Sequence, residues 1–254
     1  MRHHYCLTVD ELLKSRKSDT VFIFGSGYSL NELSETEWRE MARHNTIGFN
    51  WFVRQNFIRV DYHLFREVSG SDTDPAVWKP AIKEYADLLK NSPHYENSVM
   101  VIQGGYKALN GNRLISMRLL SRDTRIFRFH NNSRSIYKPP SKNISEGLVH
   151  GTSTLIDVVN LAYSLGWKNI VLVGVDLYDR RYFWLGKEET RNCDKTRQAS
   201  HKQTHNTANR LIPFLGQWRE LMEREGIQLS VYNPKSLLAD VMPVYSKNSL
   251  NKTE

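Results

Sequence analysis

The sequence predicts an α/β fold with a mostly parallel sheet covered by helices on both faces. Three observations carry this. A β-branched and aromatic run stops at a glycine turn and is followed by a helix signal. Short apolar runs then alternate with segments of helical period along the chain. The strand runs are apolar on successive residues, as expected of strands buried on both sides.

Val21-Phe22-Ile23-Phe24 is the first strand of this pattern and ends at Gly25-Ser26-Gly27. Ser34-Glu35-Thr36-Glu37 has the spacing of a capping box and opens a helix through about Arg43. Thr46-Ile47-Gly48-Phe49 and Val60 to Phe65 supply two further strands. Ala76 to Leu89 has helical periodicity, and Val99-Met100-Val101-Ile102 returns to strand. Arg125-Ile126-Phe127-Arg128-Phe129 alternates, which predicts a strand nearer an edge. Asn131 to Ile144, with Pro139 and Pro140, reads as a loop. Thr152-Ser153-Thr154 caps a helix to about Leu165, and Gly166 ends it. Ile170-Val171-Leu172-Val173 is the most apolar strand and is expected near the middle of the sheet. Residues 179–200 are polar, basic and aromatic without period, which predicts an inserted lid. His205 to Glu225 is helical, Gly226 stops it, and Leu229-Ser230-Val231-Tyr232 is the last strand. The expectation is one domain over residues 1–244 and a frayed tail over 245–254.

The chain has 254 residues, enough for one large core, and its 40% hydrophobic content excludes a disordered chain or a collagen-like repeat. Lys and Arg exceed Asp and Glu by 35 to 27, a net charge of +8 that suits anionic small molecules, acidic glycans or a membrane surface. Cys6 and Cys193 have neither CxxC partners nor zinc spacing and read as free thiols. No apolar run reaches the length of a membrane span, and the start lacks the apolar core of a signal peptide. The expected location is cytoplasmic, at the inner face of a membrane where the basic surface meets it.

Several motifs carry chemistry, each with a plainer structural reading beside it. Gly25, Ser26, Gly27 and Ser29 lie beyond the carboxyl end of the first strand, where parallel sheets bind ligands. Glycine there lets the backbone approach a phosphate or ribose; the plain alternative is a tight turn. Asn50 ends the next strand beside Trp51 and can read a base edge with donor and acceptor, or simply form a turn. Ser153 and Thr154 offer hydroxyls at a helix start, itself an anion site. Gly174, Val175 and Asp176 end the most apolar strand, where Asp176 either contacts a ribose or caps a loop. Tyr178, Tyr182 and Trp184 follow; phenols beside a leaving phosphate stabilise its growing charge, or the rings form a small satellite core. His201 and His205 share a helix face. They lack the Glu of HExxH and a third ligand, which disfavours zinc; a neutral imidazole is a competent general base, and the plain alternative is a surface histidine. Asp72-Thr73-Asp74 has DxD spacing but precedes Pro75, which favours helix capping. Arg113 to Lys142 is strongly basic and reads as a solvated face or a docking surface for acidic groups.

Taken in order, these islands resemble the bacterial CMP-sialic-acid-dependent sialyltransferases (glycosyltransferase family 42) and related CMP-nonulosonate or CMP-Kdo transferases. That family opens with Gly-Asn-Gly-Pro-Ser-Leu; here Gly25-Ser26-Gly27-Tyr28-Ser29-Leu30 stands. Its Cys-Asn-Gln is matched by Phe49-Asn50-Trp51. Its Thr-Ser-Gly helix start, Leu-Gly-Tyr-Lys-Glu-Ile and Gly-Ile-Asp-Phe-Tyr are matched by Ser153-Thr154, by Leu165 to Ile170 and by Gly174 to Tyr178. Ser-His-x-x-x-His-Ser corresponds to Ser200-His201 and His205-Asn206, and Cys-Pro-Asn-Ser-Leu-Leu-Ala to Asn233 through Ala239.

The resemblance implies a single Rossmann-like domain with a lid, inverting transfer of an acidic sugar from its CMP ester, and a glycan or glycolipid acceptor, as in lipopolysaccharide or capsule biosynthesis. Ser26, Ser29, Asn50, Ser153, Thr154, Gly174, Val175 and Asp176 would surround CMP. Tyr178 with Tyr182 or Trp184 would face the leaving phosphate, and His205 would be the base. No cofactor is implied, a divalent metal being at most stimulatory, and nucleic acid is not an expected partner; a homo-oligomer is compatible. This chain departs from the pattern at Ser26, at Arg66, which stands near a family Asn and can clamp a phosphate or carboxylate, and at His150-Gly151, where the family has Arg. Two rival readings are a hydroxymethylpterin pyrophosphokinase-like enzyme and a non-catalytic nucleotide- or glycan-binding module.

Overall fold

The computed structural model describes residues 4–66, 73–105, 109–133, 138–151, 153–178, 181–186 and 210–246. Eight parallel strands form one sheet: β1 (Tyr5–Cys6), β2 (Thr20–Phe24), β3 (Asn45–Phe49), β4 (Tyr62–Phe65), β5 (Val99–Gln103), β6 (Arg125–Phe129), β9 (Asn169–Val173) and β10 (Gln228–Val231). Two short strands, β7 (Asn131–Ser133) and β8 (Leu148–Val149), pair separately. The sheet order is β1-β6-β5-β4-β3-β2-β9-β10. From β2 the chain winds outward through β3 to β6, then returns to place β9 on the other side of β2. The fold is therefore Rossmann-like, and its topological switch point lies between the carboxyl ends of β2 and β9. Phe24 pairs with Val173 and with Gly48, so Gly25 and Gly174 leave the sheet side by side.

Alternation along the strands divides the apolar residues between two cores. Phe22, Phe24, Val171 and Val173 face α2 (Glu35–Met41), α3 (Pro75–Asn91) and α4 (Leu109–Ser116), packing with Trp38, Met41, Ile82 and Leu114. Val21, Ile23, Ile170 and Leu172 face the opposite way, onto α1 (Val9–Leu13), α5 (Thr154–Ser164) and α6 (residues 210–224). Burial on both faces is what makes these strands uniformly apolar.

The Ser34–Glu37 capping box forms as predicted, with Ser34 Oγ accepting from Glu37 N and Glu37 accepting from Ser34 N. Three expectations change. β9 is second from an edge, because β10 adds outside it; its apolar character reflects two covered faces and not centrality. The 131–144 loop begins with β7, which β8 pairs. Tyr245 is not part of a frayed tail: its N–H donates to Val231 O at 2.7 Å and its ring packs edge-on against Phe22. Among the described residues no helix is long and apolar enough to cross a membrane.

Candidate functional site

The switch point is built by backbone contact. Gly25 N donates to Val173 O at 2.8 Å and Gly27 N to Gly174 O at 2.8 Å, so β2 and β9 stay joined past the end of the sheet. A Cβ on Gly27 would stand 2.3 Å from Asp176 Oδ2, and one on Gly174 would strike Leu30 at 2.6 Å; Gly174 also holds φ +65°. Side chains complete the latch. Asp176, buried, accepts from Ser29 N at 3.0 Å, from Ser29 Oγ at 2.5 Å and from Asn233 Nδ2 at 3.1 Å. Asn233 Nδ2 also donates to the Tyr178 hydroxyl at 3.2 Å, and Ser236 Oγ donates to Val175 O at 2.6 Å. Ser29, Val175 and Asp176 thus hold the strand ends together, and the Asp176 carboxylate spends its acceptors inside the protein.

Beside this latch, at the carboxyl ends of β2 and β3, a cavity of about 470 Å³ opens between Ser26, Asn50, Trp51, Arg54, Tyr182 and Trp184. The segment carrying Tyr182 and Trp184 lies across the glycine turn: Tyr182 bridges Gly27, and Phe183 N donates to Ser26 O at 3.2 Å. The Phe183 ring anchors it in the core against Phe52 and Phe57. Tyr182 and Trp184 stack face to face at 4.6 Å with 2° between their planes. The Arg54 guanidinium lies 4.6 Å over Trp51 and 5.5 Å from Trp184, and it pairs with Glu84. The cavity wall is therefore aromatic with a cation set into it, a surface suited to a planar or sugar ring carrying negative charge. Ser29, Gly174 and Asn233 line a separate cavity of about 290 Å³ with Glu37 and Tyr245. Two other cavities, of about 490 and 740 Å³, lie at the amino ends of β5 and β6 and between α3 and residues 53–56, the latter sharing Arg54 with the cavity above.

Asn50 connects the cavity to a polar network beneath it. It sits in the left-handed region, φ +47°, which Asn tolerates better than most residues. His63, fully buried, donates from Nε2 to Asn50 O at 3.1 Å, and desolvation pushes its pKa down to about 3, so the ring is neutral. Asn50 Oδ1 accepts from Arg66 N at 3.2 Å, while Asn50 Nδ2 donates to Thr154 Oγ1 at 3.3 Å. Ser153 is the N-cap of α5, its hydroxyl accepting from Leu155 N at 3.2 Å. One turn into α5, Asp157 is completely buried and gathers three donors: Arg66 Nη1 at 3.3 Å, Asn131 Nδ2 at 2.6 Å and His150 Nδ1 at 2.7 Å.

The predicted set therefore separates. Ser26, Asn50, Tyr182 and Trp184 share the cavity, with Arg66 and Thr154 behind it. Gly25, Gly27, Ser29, Gly174, Val175, Asp176 and Tyr178 form the adjoining latch. His201 and His205 lie outside the described residues, as do Thr152 and Asp72. Asp74 caps α3, Oδ1 accepting from Ala76 N at 2.9 Å, in keeping with the capping reading of the DxD segment. Among the described residues no three His, Cys, Asp or Glu side chains converge on one point. Asn131, His150, Asp157 and Arg54 were not among the predicted site residues. Asp157 was the detectable one, a lone charge between Leu155-Ile156 and Val158-Val159 on an otherwise apolar helix.

Compared with known protein families and with characterised proteins, the chain matches no family model and no curated protein.

Proposed function

We propose that this chain is an inverting glycosyltransferase that moves an acidic sugar, a sialic acid, Kdo or another nonulosonate, from its CMP ester to a hydroxyl of a glycan or glycolipid. The observation that carries the reading is the cavity beside the switch point, walled by Tyr182, Trp184 and Arg54, with the Asn50 amide on its rim and the start of α5 behind Asn50. A nucleoside monophosphate needs these elements: a ring surface to stack on, an amide that both donates and accepts, and positive potential for one phosphate. The glycosyl–phosphate bond breaks with its electron pair going to the phosphate oxygen, and the acceptor oxygen attacks the opposite face of the sugar. An imidazole takes the acceptor proton; His205 is the one the sequence resemblance names. The leaving charge is spread over a single phosphate, which phenolic donors such as Tyr182 can stabilise.

Purified protein is expected to melt at higher temperature with CMP and to release CMP from a CMP-nonulosonate when a saccharide acceptor is present. A melting shift with ATP and Mg²⁺ but none with CMP would favour the pyrophosphokinase reading. Binding of CMP without release from any donor would favour a binding module.

A further inference from the structure

We infer that His150, held by Asp157, is a proton acceptor of this site, a role that rests on the transferase reading above. His150 stands three residues ahead of the α5 N-cap, and its ring is only 12% exposed. Its Nδ1 lies 2.7 Å from Asp157 Oδ2. A carboxylate can only accept, so Nδ1 carries the proton and the Nε2 lone pair is left as the basic position. Nε2 has no hydrogen-bond partner among the described residues. Asp157 is in turn fixed by Arg66 and Asn131, so the imidazole is oriented by a carboxylate that is itself oriented. This is the base-plus-orienter arrangement that general-base chemistry requires.

The pair is linked to the cavity wall through Arg66. Arg66, which shares Asp157 with His150, donates its backbone N–H to Asn50 Oδ1, and Asn50 lines the cavity. The charged groups facing His150 from the packed elements are Asp157 on α5 and, through it, Arg66 at the end of β4. In the step proposed, the acceptor O–H proton passes to His150 Nε2, in place of the His205 that the resemblance names, as the acceptor oxygen bonds the anomeric carbon and the electron pair of the breaking bond leaves with CMP. The imidazolium formed is balanced by Asp157 and later gives its proton to water. A histidine held by Asp157 for structure alone would carry the same Nδ1–H tautomer, so the loss of turnover is what separates the two roles.

Two measurements test this. Nitrogen-15 spectra of the whole chain at pH 7.5, with His150 assigned from the His150→Gln spectrum, are expected to show the Nδ1–H tautomer; an Nε2–H tautomer overturns the assignment. In turnover, His150→Gln is expected to lower kcat by roughly 10²-fold or more with CMP affinity unchanged, the usual size of a general-base contribution. Asp157→Asn, a positioning change, is expected to move the acidic limb of the kcat–pH profile where a purely structural change would not. Wild-type turnover with undiminished kcat in His150→Gln overturns the role of His150 alone. A wild-type chain inert toward every CMP-sugar removes the reaction itself, and the role with it.

Discussion

Gly27→Ala tests whether the strand-end latch shapes the switch point. Gly27 has φ −70° and ψ 157°, a conformation alanine adopts freely, so the backbone imposes no penalty. The added Cβ would lie 2.3 Å from Asp176 Oδ2 and 2.7 Å from Gly174 O. Reaching ordinary contact at 3.4 Å requires the carboxylate to retreat by about 1 Å. Ser29 N and Oγ now sit 3.0 and 2.5 Å from it, and a retreat of that size breaks or stretches both bonds. Hydrogen bonds to a charged group contribute about 1.5–3 kcal/mol each. Alanine returns about 0.4–1 kcal/mol by narrowing the unfolded ensemble. The net expectation is a loss of about 2–6 kcal/mol, which for a chain of this length is a fall in Tm of roughly 4–24 °C. Urea denaturation followed by circular dichroism measures it. Repeating the change in Asp176→Ala gives a double-mutant cycle, expected to show coupling of at least about 1 kcal/mol, because the carboxylate part of the clash is gone. Stability of Gly27→Ala within about 0.5 kcal/mol of wild type, the range of a neutral surface change, or strictly additive costs in the cycle, would refute the latch.

Two further outcomes follow from the network under Asn50. His63 is neutral in the folded protein with a pKa of about 3 and titrates near 6.5 once unfolded. Below pH 6.5 the unfolded chain therefore binds a proton that the native ring refuses, and stability falls as pH drops from 6.5 toward 3. The slope approaches about 1.4 kcal/mol per pH unit, roughly 2 kcal/mol by pH 5. His63→Gln should flatten the decline in urea midpoint between pH 7.5 and 5 by that amount; an unchanged decline would show that His63 is not the source. Asn50→Gly and Asn50→Ala both remove the bonds to Arg66 N and Thr154 Oγ1, and each is expected to weaken CMP binding about tenfold in calorimetry. Only alanine also meets the left-handed strain at φ +47°, so it should be less stable than Asn50→Gly by about 1 kcal/mol; equal stability of the two would contradict the backbone assignment.

The elements whose physics is local were readable from the residues. Ser34 to Glu37 contains both partners of its capping box, and Phe22/Phe24 against Val21/Ile23 encodes two cores in one strand. The glycine turn was legible because strand, turn and helix adjoin in sequence. What needed the fold was everything set by pairing at long range. The two-residue β1 carries too little pattern to be seen, and it exists because Leu7 N and its neighbours find the free edge of β6. The rank of β9 in the sheet depends on β10, almost sixty residues later in the chain, and no apolar count along β9 reports it. At the site, Asp176 reads as a ligand group when considered alone. Only coordinates show that Ser29, 147 positions away, has already taken its oxygens.

Part of the basic stretch from Arg113 to Lys142 has partners within the fold. Arg113 lies 3.9 Å over the Trp78 ring, Arg128 donates to Asn112 Oδ1 at 2.8 Å, and Lys142 pairs with Glu225 at 2.8 Å. These partners sit on α3, on α4 and after α6. For the anionic donor proposed above, two cations lie nearer the cavity, each with an acidic partner. Arg54 is set in the cavity wall, and Arg66 sits behind Asn50 with its charge offset by Asp157. Breaking a buried pair of that kind typically costs about 3–5 kcal/mol, so Arg66 is not available to swing toward a ligand.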